Sequence, residues 1–301
     1  MKSSHKKLVG LLILLLFLVP LGVAGKKVYL ELRQPELNRV LIAAVKKNDT
    51  TAVVALLAQG ADPNAGDLPP EHRSVWLKLW DRLRRKPFLV SDGQTAMSAA
   101  VAPRFIGEDY VYPPENVPLM KALLNAGGDV NVSEDYMTPL FWAAIDAKRE
   151  TVRLLLDRGA DVRATSKDHH MALHYAVLQR DPVVVKMLLD RGAQVDARNG
   201  VGATPLHLAA EAGRVVNMRL LIARGANVNA RQADMSTPLA LAAKYNEPEC
   251  VKLLLLSGAQ ANARDGIGHT PLWLAKDARW KLVRNDTRQI VKMLKKAGAK
   301  E

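Results

Sequence analysis

Few residues of this chain have the types and spacing that catalysis or metal binding requires. No motif typical of serine hydrolases, zinc peptidases, phosphate-binding loops or redox dithiols occurs in its 301 residues. His169 and His170 follow Asp168, but neighbouring residues in a chain seldom converge on one ion, so we predict no metal site and no cofactor. The single cysteine, Cys250, stands at an apolar position of a helical pattern, which indicates a buried thiol. We therefore predict no catalytic residue and no enzyme, and catalysis is only the third of three functional hypotheses.

The strongest pattern in the sequence is a regular repeat with a period of about 33 residues. A short motif, mostly Thr-Pro-Leu, begins at five evenly spaced positions: Thr138, Met171, Thr204, Thr237 and Thr270. A glycine follows each of the first four starts at one constant distance, at Gly159, Gly192, Gly225 and Gly258. A fixed period of this length is typical of a solenoid, in which stacked repeats share one continuous core.

Each period contains the signals of two helices and a turn. We expect a threonine hydroxyl to cap the first helix, because the proline after it suits the first helical position. The glycine ends the second helix, since it takes a left-handed conformation without a Cβ penalty. Met171 replaces the threonine once, so that helix lacks the usual cap unless His170 substitutes. The capping threonines are Thr138, Thr204, Thr237 and Thr270.

Residues 203–230 read ATPLHLAAEAGRVVNMRLLIARGANVNA and resemble the ankyrin repeat almost position by position. The resemblance implies an inner helix, an outer helix and a projecting hairpin in each repeat. About seven repeats fit residues 37–301, so the expected fold is an all-α solenoid. His174 and His207 stand at the family's histidine position, where the resemblance implies a structural role in bracing the hairpin. Ala240 replaces this histidine in the sixth repeat.

The resemblance places partner binding on a concave groove lined by inner helices and hairpin tips. The residue after the histidine position faces this groove, and these residues form the groove stripe: Trp142, Tyr175, Leu208, Leu241 and Leu274. Aromatic residues are common interaction hot spots, but the alternative is that these side chains pack between neighbouring repeats. A second row on the tips, the arginine ladder, comprises Arg198, Arg231 and Arg264. The ladder would clamp an acidic partner surface or, alternatively, form a solvated edge.

The N-terminus predicts export. Residues 1–24 combine a lysine-bearing start, an apolar run and a small-residue end, which is the layout of a cleaved signal peptide. The alternative is that this segment stays as a membrane anchor. Residues 25–36 would form a linker to the repeats. We expect a periplasmic or secreted protein, so nucleic acid is excluded as a partner although the formal net charge is +13.

Insertions near 68–90 and 104–116 interrupt the period, and the seventh repeat is stretched around 279–285. The first insertion contains RSVWLKLWDRLRRKP, in which a helix is predicted over 73–86. Trp76 and Trp80 fall on its apolar face, and we expect this face to pack on the solenoid beside the groove. A competing hypothesis is a membrane-peripheral protein that uses this basic helix on anionic lipid.

The sequence as a whole predicts a non-catalytic protein-interaction module of the cell envelope or the secreted space. We expect a monomer that binds one other protein, such as an envelope enzyme or toxin, through the groove and the hairpin tips. Function on a scaffold fold depends on its surface residues, so the groove stripe, the arginine ladder, Trp76 and Trp80 form the predicted site.

Overall fold

The computed structural model describes residues 34–64, 66, 95–106, 109–133, 136–277 and 287–300. The predicted signal peptide, the linker up to residue 33, and the stretch 279–285 lie outside these ranges. So do the insertion near 68–90, its predicted helix over 73–86, Trp76 and Trp80. Among the described residues, no helix is long and apolar enough to cross a membrane.

The described residues divide into two compact units: those from 34 to 100 with 118–129, and those from 101 to 117 with 130–300. In the first unit, Thr95 Oγ1 accepts a hydrogen bond from Ser98 N at 3.2 Å and so caps a helix. Asn64 joins two turns of this unit, because its Nδ2 donates to Gly127 O at 2.9 Å. The helices described there are α1 (34–46), α2 (Thr50–Ala58), α3 (Ala96–Ala99) and α4 (Val117–Asn125).

The second unit is a stack of helix pairs. Each inner helix packs against the outer helix of its own repeat and against the inner helix of the next repeat. The inner helices are α5 (Pro139–Ile145), α7 (Ala172–Ala176), α9 (Pro205–Glu211), α11 (Pro238–Lys244) and α13 (Pro271–Lys276). The outer helices are α6 (Arg149–Asp157), α8 (Val183–Asp190), α10 (Val215–Ala223), α12 (Pro248–Leu256) and α14 (Arg288–Lys296).

One leucine from each inner helix forms the centre of this stack. Each of these side chains contributes about 1.5–3 kcal/mol by its burial. Alanines such as Ala143 and Ala209 are also fully buried, and their small side chains allow neighbouring helices to approach closely. The buried leucines are Leu140, Leu173, Leu206, Leu239 and Leu272.

Asparagines at the ends of the hairpins join successive repeats. Asn229 Oδ1 accepts from Gln260 N at 2.9 Å, and its Nδ2 donates to Gly258 O at 3.2 Å. Gly258 has φ 86°, as predicted for the residue that ends the outer helix. Asn131 and Asn262 make the same two bonds to the repeats that follow them. The side chain therefore satisfies backbone groups that the end of a helix leaves unpaired.

The insertion near 104–116 contains a short antiparallel hairpin. Strand β1 (Arg104–Ile106) pairs with β2 (Asp109–Val111), with Phe105 opposite Tyr110. The helix pairs confirm the all-α solenoid predicted from the period. The two-stranded insertion is an addition that the period does not predict.

Candidate protein-interaction surface

Threonine hydroxyls cap two of the inner helices as the sequence predicts. Thr237 Oγ1 accepts from Ala240 N at 3.3 Å, and Thr270 Oγ1 accepts from Trp273 N at 3.2 Å. Both helices lack the histidine of the family motif. In the described structure, the threonine hydroxyl is therefore the only side-chain acceptor in the first turn of each helix.

The prediction is wrong for Thr138, and at Thr204 the hydroxyl takes part in a capping box with His207. The side chain of Thr138 makes no capping hydrogen bond. The hydroxyl of Thr204 instead lies 2.9 Å from His207 Nδ1, because the ring of His207 occupies the end of that helix.

Histidine rings cap the inner helices of the fourth and fifth repeats. His174 Nδ1 accepts from Met171 N at 3.0 Å, and His207 Nδ1 accepts from Thr204 N at 3.1 Å. A backbone N–H can only donate, so each Nδ1 carries no proton and each Nε2 does. Through that proton, His174 Nε2 donates to Ala197 O in the following hairpin at 3.1 Å. Each ring therefore braces a helix end and a hairpin together.

Both rings are fully buried and stay neutral. Burial, together with the nearby charge of His170, lowers the pKa of His174 from 6.5 to about 4. Burial also lowers the pKa of His207. His170 does not cap the helix of Met171, since its own ring Nε2 lies 3.0 Å from Asn199 Nδ2.

The groove stripe is exposed at only three of its five positions. Leu241 and Leu274 are buried, with 6% and 7% of their surfaces exposed, so they pack between repeats. This corrects the prediction that both contribute to an open apolar stripe. Trp142, Tyr175 and Leu208 are partly exposed and form the remaining open part of the stripe.

Ring contacts connect the stripe to the hairpins. Tyr175 meets Phe141 of the preceding repeat edge-on at 5.9 Å between ring centroids. On the hairpin side, His170 stacks on Tyr175 at 5.3 Å between ring centroids. Since Asn199 of the next hairpin contacts His170, the groove stripe and the hairpins of these repeats form one continuous surface.

The arginine ladder ties successive hairpins together. Arg198 Nη1 donates to Arg231 O at 2.7 Å, and Arg231 Nη1 donates to Arg264 O at 2.9 Å. Arg264 Nη1 donates to Gly268 O within its own hairpin at 2.6 Å. The ladder therefore has a structural role that neither the acidic clamp nor the solvated edge anticipates.

Exposed apolar side chains stand on the hairpin tips, and the sequence reasoning missed them. Backbone bonds hold the tips together, such as Ala233 N to Val201 O at 2.9 Å. Isolated exposed apolar residues are ordinary, but several on successive hairpin tips are informative. This tip row comprises Tyr136 and Met235, two residues before a motif start, and Val201 and Ile267, three residues before one.

Two members of the tip row adopt a backbone conformation that favours glycine. Tyr136 has φ 64° and Met235 has φ 62°. The left-handed conformation recurs at the equivalent position of the other repeats, at His169, Gly202 and Gly268. A bulky residue in the left-handed region costs about 1–2 kcal/mol relative to glycine. The register of the repeats itself identifies these positions, so an inspection of the residue two before each motif start would have found them.

A family model described as ankyrin repeats (3 copies) matches residues 111–199 and 197–265, together about half of the chain. The chain belongs to the ankyrin-repeat family. Ankyrin repeats are generally protein–protein interaction modules, and the family is typically non-catalytic. A comparison with curated proteins finds no significant match.

The ankyrin repeats of this chain bring together no evident catalytic or metal-binding group within the part that the structure describes. No cluster of three or more histidine, cysteine or acidic side chains that could hold a metal ion occurs among those residues. Cys250 is buried as predicted, and burial raises the pKa of its thiol to about 12. Such a thiol is unreactive near neutral pH.

Proposed function

We propose that this ankyrin-repeat protein is a non-catalytic binding module that engages another protein. Its partner would contact the open part of the groove stripe and the tip row as one surface. The observation that carries the proposal is the exposure of Tyr136 and Met235, two large apolar side chains on hairpin tips. Packing within the stack does not account for their exposure, so we attribute it to partner contact.

The setting of the proposal comes from the sequence. Residues 1–24 have the layout of a signal segment, so we propose that the module acts in the cell envelope or the secreted space. An envelope enzyme or a toxin is the partner class that fits this setting. We propose that the protein acts as a monomer.

The experiment that tests this proposal uses a Tyr136→Gly/Met235→Gly double variant. Glycine relieves about 1–2 kcal/mol of backbone strain at each site and costs about 0.5–1 kcal/mol of entropy, so the free energy of unfolding should stay unchanged or rise by up to about 3 kcal/mol. Loss of two exposed contacts should weaken partner capture by about tenfold or more. Capture is measured by affinity purification from the envelope fraction, followed by titration of the purified partner.

Leu256→Ala is the matched control. Leu256 lies on outer helix α12 and is 78% exposed, so its replacement removes a similar apolar surface outside the proposed site. The control should bind the partner as the wild type does. Full binding by the glycine double variant, or an equal loss in the control, would refute the proposed surface.

Trp142→Ala extends the test to the groove stripe. The indole is partly exposed, so its loss should reduce binding more than it reduces stability. If the free energy of unfolding falls while binding per folded molecule is unchanged, Trp142 belongs to the core and not to the interaction surface.

A further inference from the structure

The outer helices of the second unit carry a row of exposed basic residues that follows the repeats. Each of them lies six positions before the left-handed glycine that closes its outer helix. None belongs to the groove stripe, the arginine ladder or the tip row, so the proposed partner surface leaves this row unexplained. The outer row comprises Arg153, Lys186, Arg219, Lys252 and Lys292.

Ion pairs neutralise the first two positions of the outer row. Arg153 pairs with Glu150, and Lys186 Nζ lies 2.7 Å from Asp190 Oδ2. Helices α6 and α8 together contain three basic and three acidic residues. Exposed pairs of this kind form an ordinary solvated surface, so this part of the row needs no partner.

The later positions of the outer row are not neutralised in this way. Helices α10, α12 and α14 together contain six basic residues and one acidic residue, Glu249. Arg219, Lys252 and Lys292 make no ion pair with any residue that the structure describes. The outer helices therefore change from balanced charge to an excess of positive charge along the stack.

Helix α14 concentrates this positive charge. Lys292, Lys295 and Lys296 share one exposed side of the helix, whereas Ile290 and Leu294 are buried against the stack. The helix dipole favours lysines in the last turn, but it would equally favour an acidic residue in the first turn, and none occurs there. A solvated face needs only polarity, and like charges at this spacing slightly destabilise a helix. Stacking alone does not explain a face without acidic residues.

An apolar side chain accompanies these lysines. Leu256 on α12 is 78% exposed. Leu256 and Lys296 are equivalent residues of neighbouring outer helices, since each stands two positions before a closing glycine, Gly258 or Gly298. The basic face is defined as this leucine with the cations around it: Arg219, Lys252, Leu256, Lys292, Lys295 and Lys296.

The composition of the basic face favours one class of anionic partner. Protein interfaces are enriched in arginine and depleted in lysine, yet four of the five cations here are lysines. A nucleic acid backbone attracts lysines, but it offers nothing to an exposed leucine. An anionic membrane attracts clustered lysines to its headgroups and accepts an apolar side chain at its interface.

We propose that the basic face holds this protein against an anionic lipid surface. The ammonium groups lie at the level of the headgroups, and Leu256 enters the interface beside them. Salt screens such an attraction, so the binding is peripheral and reversible. The groove stripe and the tip row take no part, so this inference does not depend on the proposed partner surface. The titration with purified partner contains no lipid, so Leu256→Ala remains a control there.

The test is co-sedimentation of the full chain with vesicles of phosphatidylcholine, with or without phosphatidylglycerol. Binding should require the anionic lipid and should fall as the salt concentration rises. Lys292→Gln/Lys295→Gln/Lys296→Gln should weaken binding about a hundredfold, because each lysine near an anionic surface contributes about fivefold. Leu256→Ala should weaken it about threefold, because less apolar surface enters the interface.

Arg153→Gln/Lys186→Gln/Arg191→Gln is the matched control. It removes the same charge from the same side of the stack, but from positions that are ion-paired. This variant should bind within about threefold of the wild type. Both triple variants keep residues 1–24 and the insertion near 68–90, so any contribution of those segments to vesicle binding cancels.

A fluorophore reports the contact directly. Cys250 is buried, so a Leu256→Cys variant can be labelled at the new thiol alone with an environment-sensitive dye. Its emission should brighten and shift to the blue on anionic vesicles, whereas the same dye on Val201→Cys, at a hairpin tip, should not respond. Equal losses in the two triple variants, or no response at position 256, would overturn the proposal. Equally tight binding of a DNA duplex that Leu256→Ala leaves unchanged would also overturn it, since the face would then bind any polyanion.

Discussion

Acid should destabilise this protein through one buried histidine ring. His174 is fully buried, and its Nδ1 accepts from Met171 N at 3.0 Å. Protonation of Nδ1 would place two N–H donors against each other and would bring a charge into the core. Burial, with the neighbouring charge of His170, lowers the pKa of His174 from 6.5 to about 4.

The direction follows from the protons that each state binds. Between about pH 6.5 and pH 4 the unfolded chain carries a proton on His174 and the folded chain does not, so the free energy of unfolding falls as the pH falls. A shift of about 2.5 pKa units at 1.36 kcal/mol each gives a loss of about 3 kcal/mol. The loss is complete near pH 4 and absent above about pH 7. It is a large part of the ~5–15 kcal/mol that holds a typical domain folded.

A double variant supplies the matched control for this prediction. Met171→Thr/His174→Ala reproduces the Thr237 and Ala240 pair of the sixth repeat, in which a hydroxyl caps the helix and no ring titrates. Urea unfolding from about pH 7.5 to pH 4 should show that the variant loses about 3 kcal/mol less than the wild type. His207 is present in both proteins, so its contribution cancels. Equal losses, or an NMR titration that gives His174 a pKa near 6.5, would refute the reasoning.

Two further predictions concern the cap and the arginine ladder. Thr237→Val should lower the free energy of unfolding by about 1 kcal/mol in urea unfolding, since Ala240 N loses its acceptor, whereas Thr138→Val should change it little. A larger effect at Thr138 than at Thr237 would contradict the assignment of caps. Arg231→Met should lower the free energy of unfolding by up to about 1 kcal/mol, because the bond to Arg264 O is lost at a partly exposed position. A modest fall in the thermal midpoint would report this loss. An unchanged midpoint with lost partner capture would instead favour the acidic clamp.

The period of the repeats was sufficient to predict the architecture of the second unit. Leucines at equivalent positions, such as Leu206, are buried because each repeat places the same side chain against the next one. The left-handed glycines were predictable for the same reason, since one backbone geometry recurs at Gly225 and its equivalents. The antiparallel hairpin of β1 and β2 was not predictable from the period, because an insertion has no equivalent in other repeats.

The details of the site depend on neighbours that the period does not describe. Leu208 is partly exposed whereas Leu241 is buried, although both follow the same motif position. The arginine ladder looked like surface charge because the sequence gives no sign that Arg198 reaches a carbonyl of the next hairpin. The sequence did not predict that His174 caps the inner helix of the fourth repeat. Because Thr-Pro is absent there, His170 was the predicted substitute.

Departures from the repeat carry more functional information than the repeat itself. Residues that recur once in every repeat are explained by stacking, so they need no further role. Tyr136 and Asn217 depart from that pattern, the first as an exposed aromatic side chain on a hairpin tip and the second as a buried amide whose carbonyl is unpaired among the described residues. Variants separate the two roles. Tyr136→Gly should reduce partner capture without lowering the free energy of unfolding, whereas Asn217→Ala should lower that free energy, because Val177 O and Gln179 O lose their donor. A loss of stability in Tyr136→Gly, or none in Asn217→Ala, would contradict this assignment.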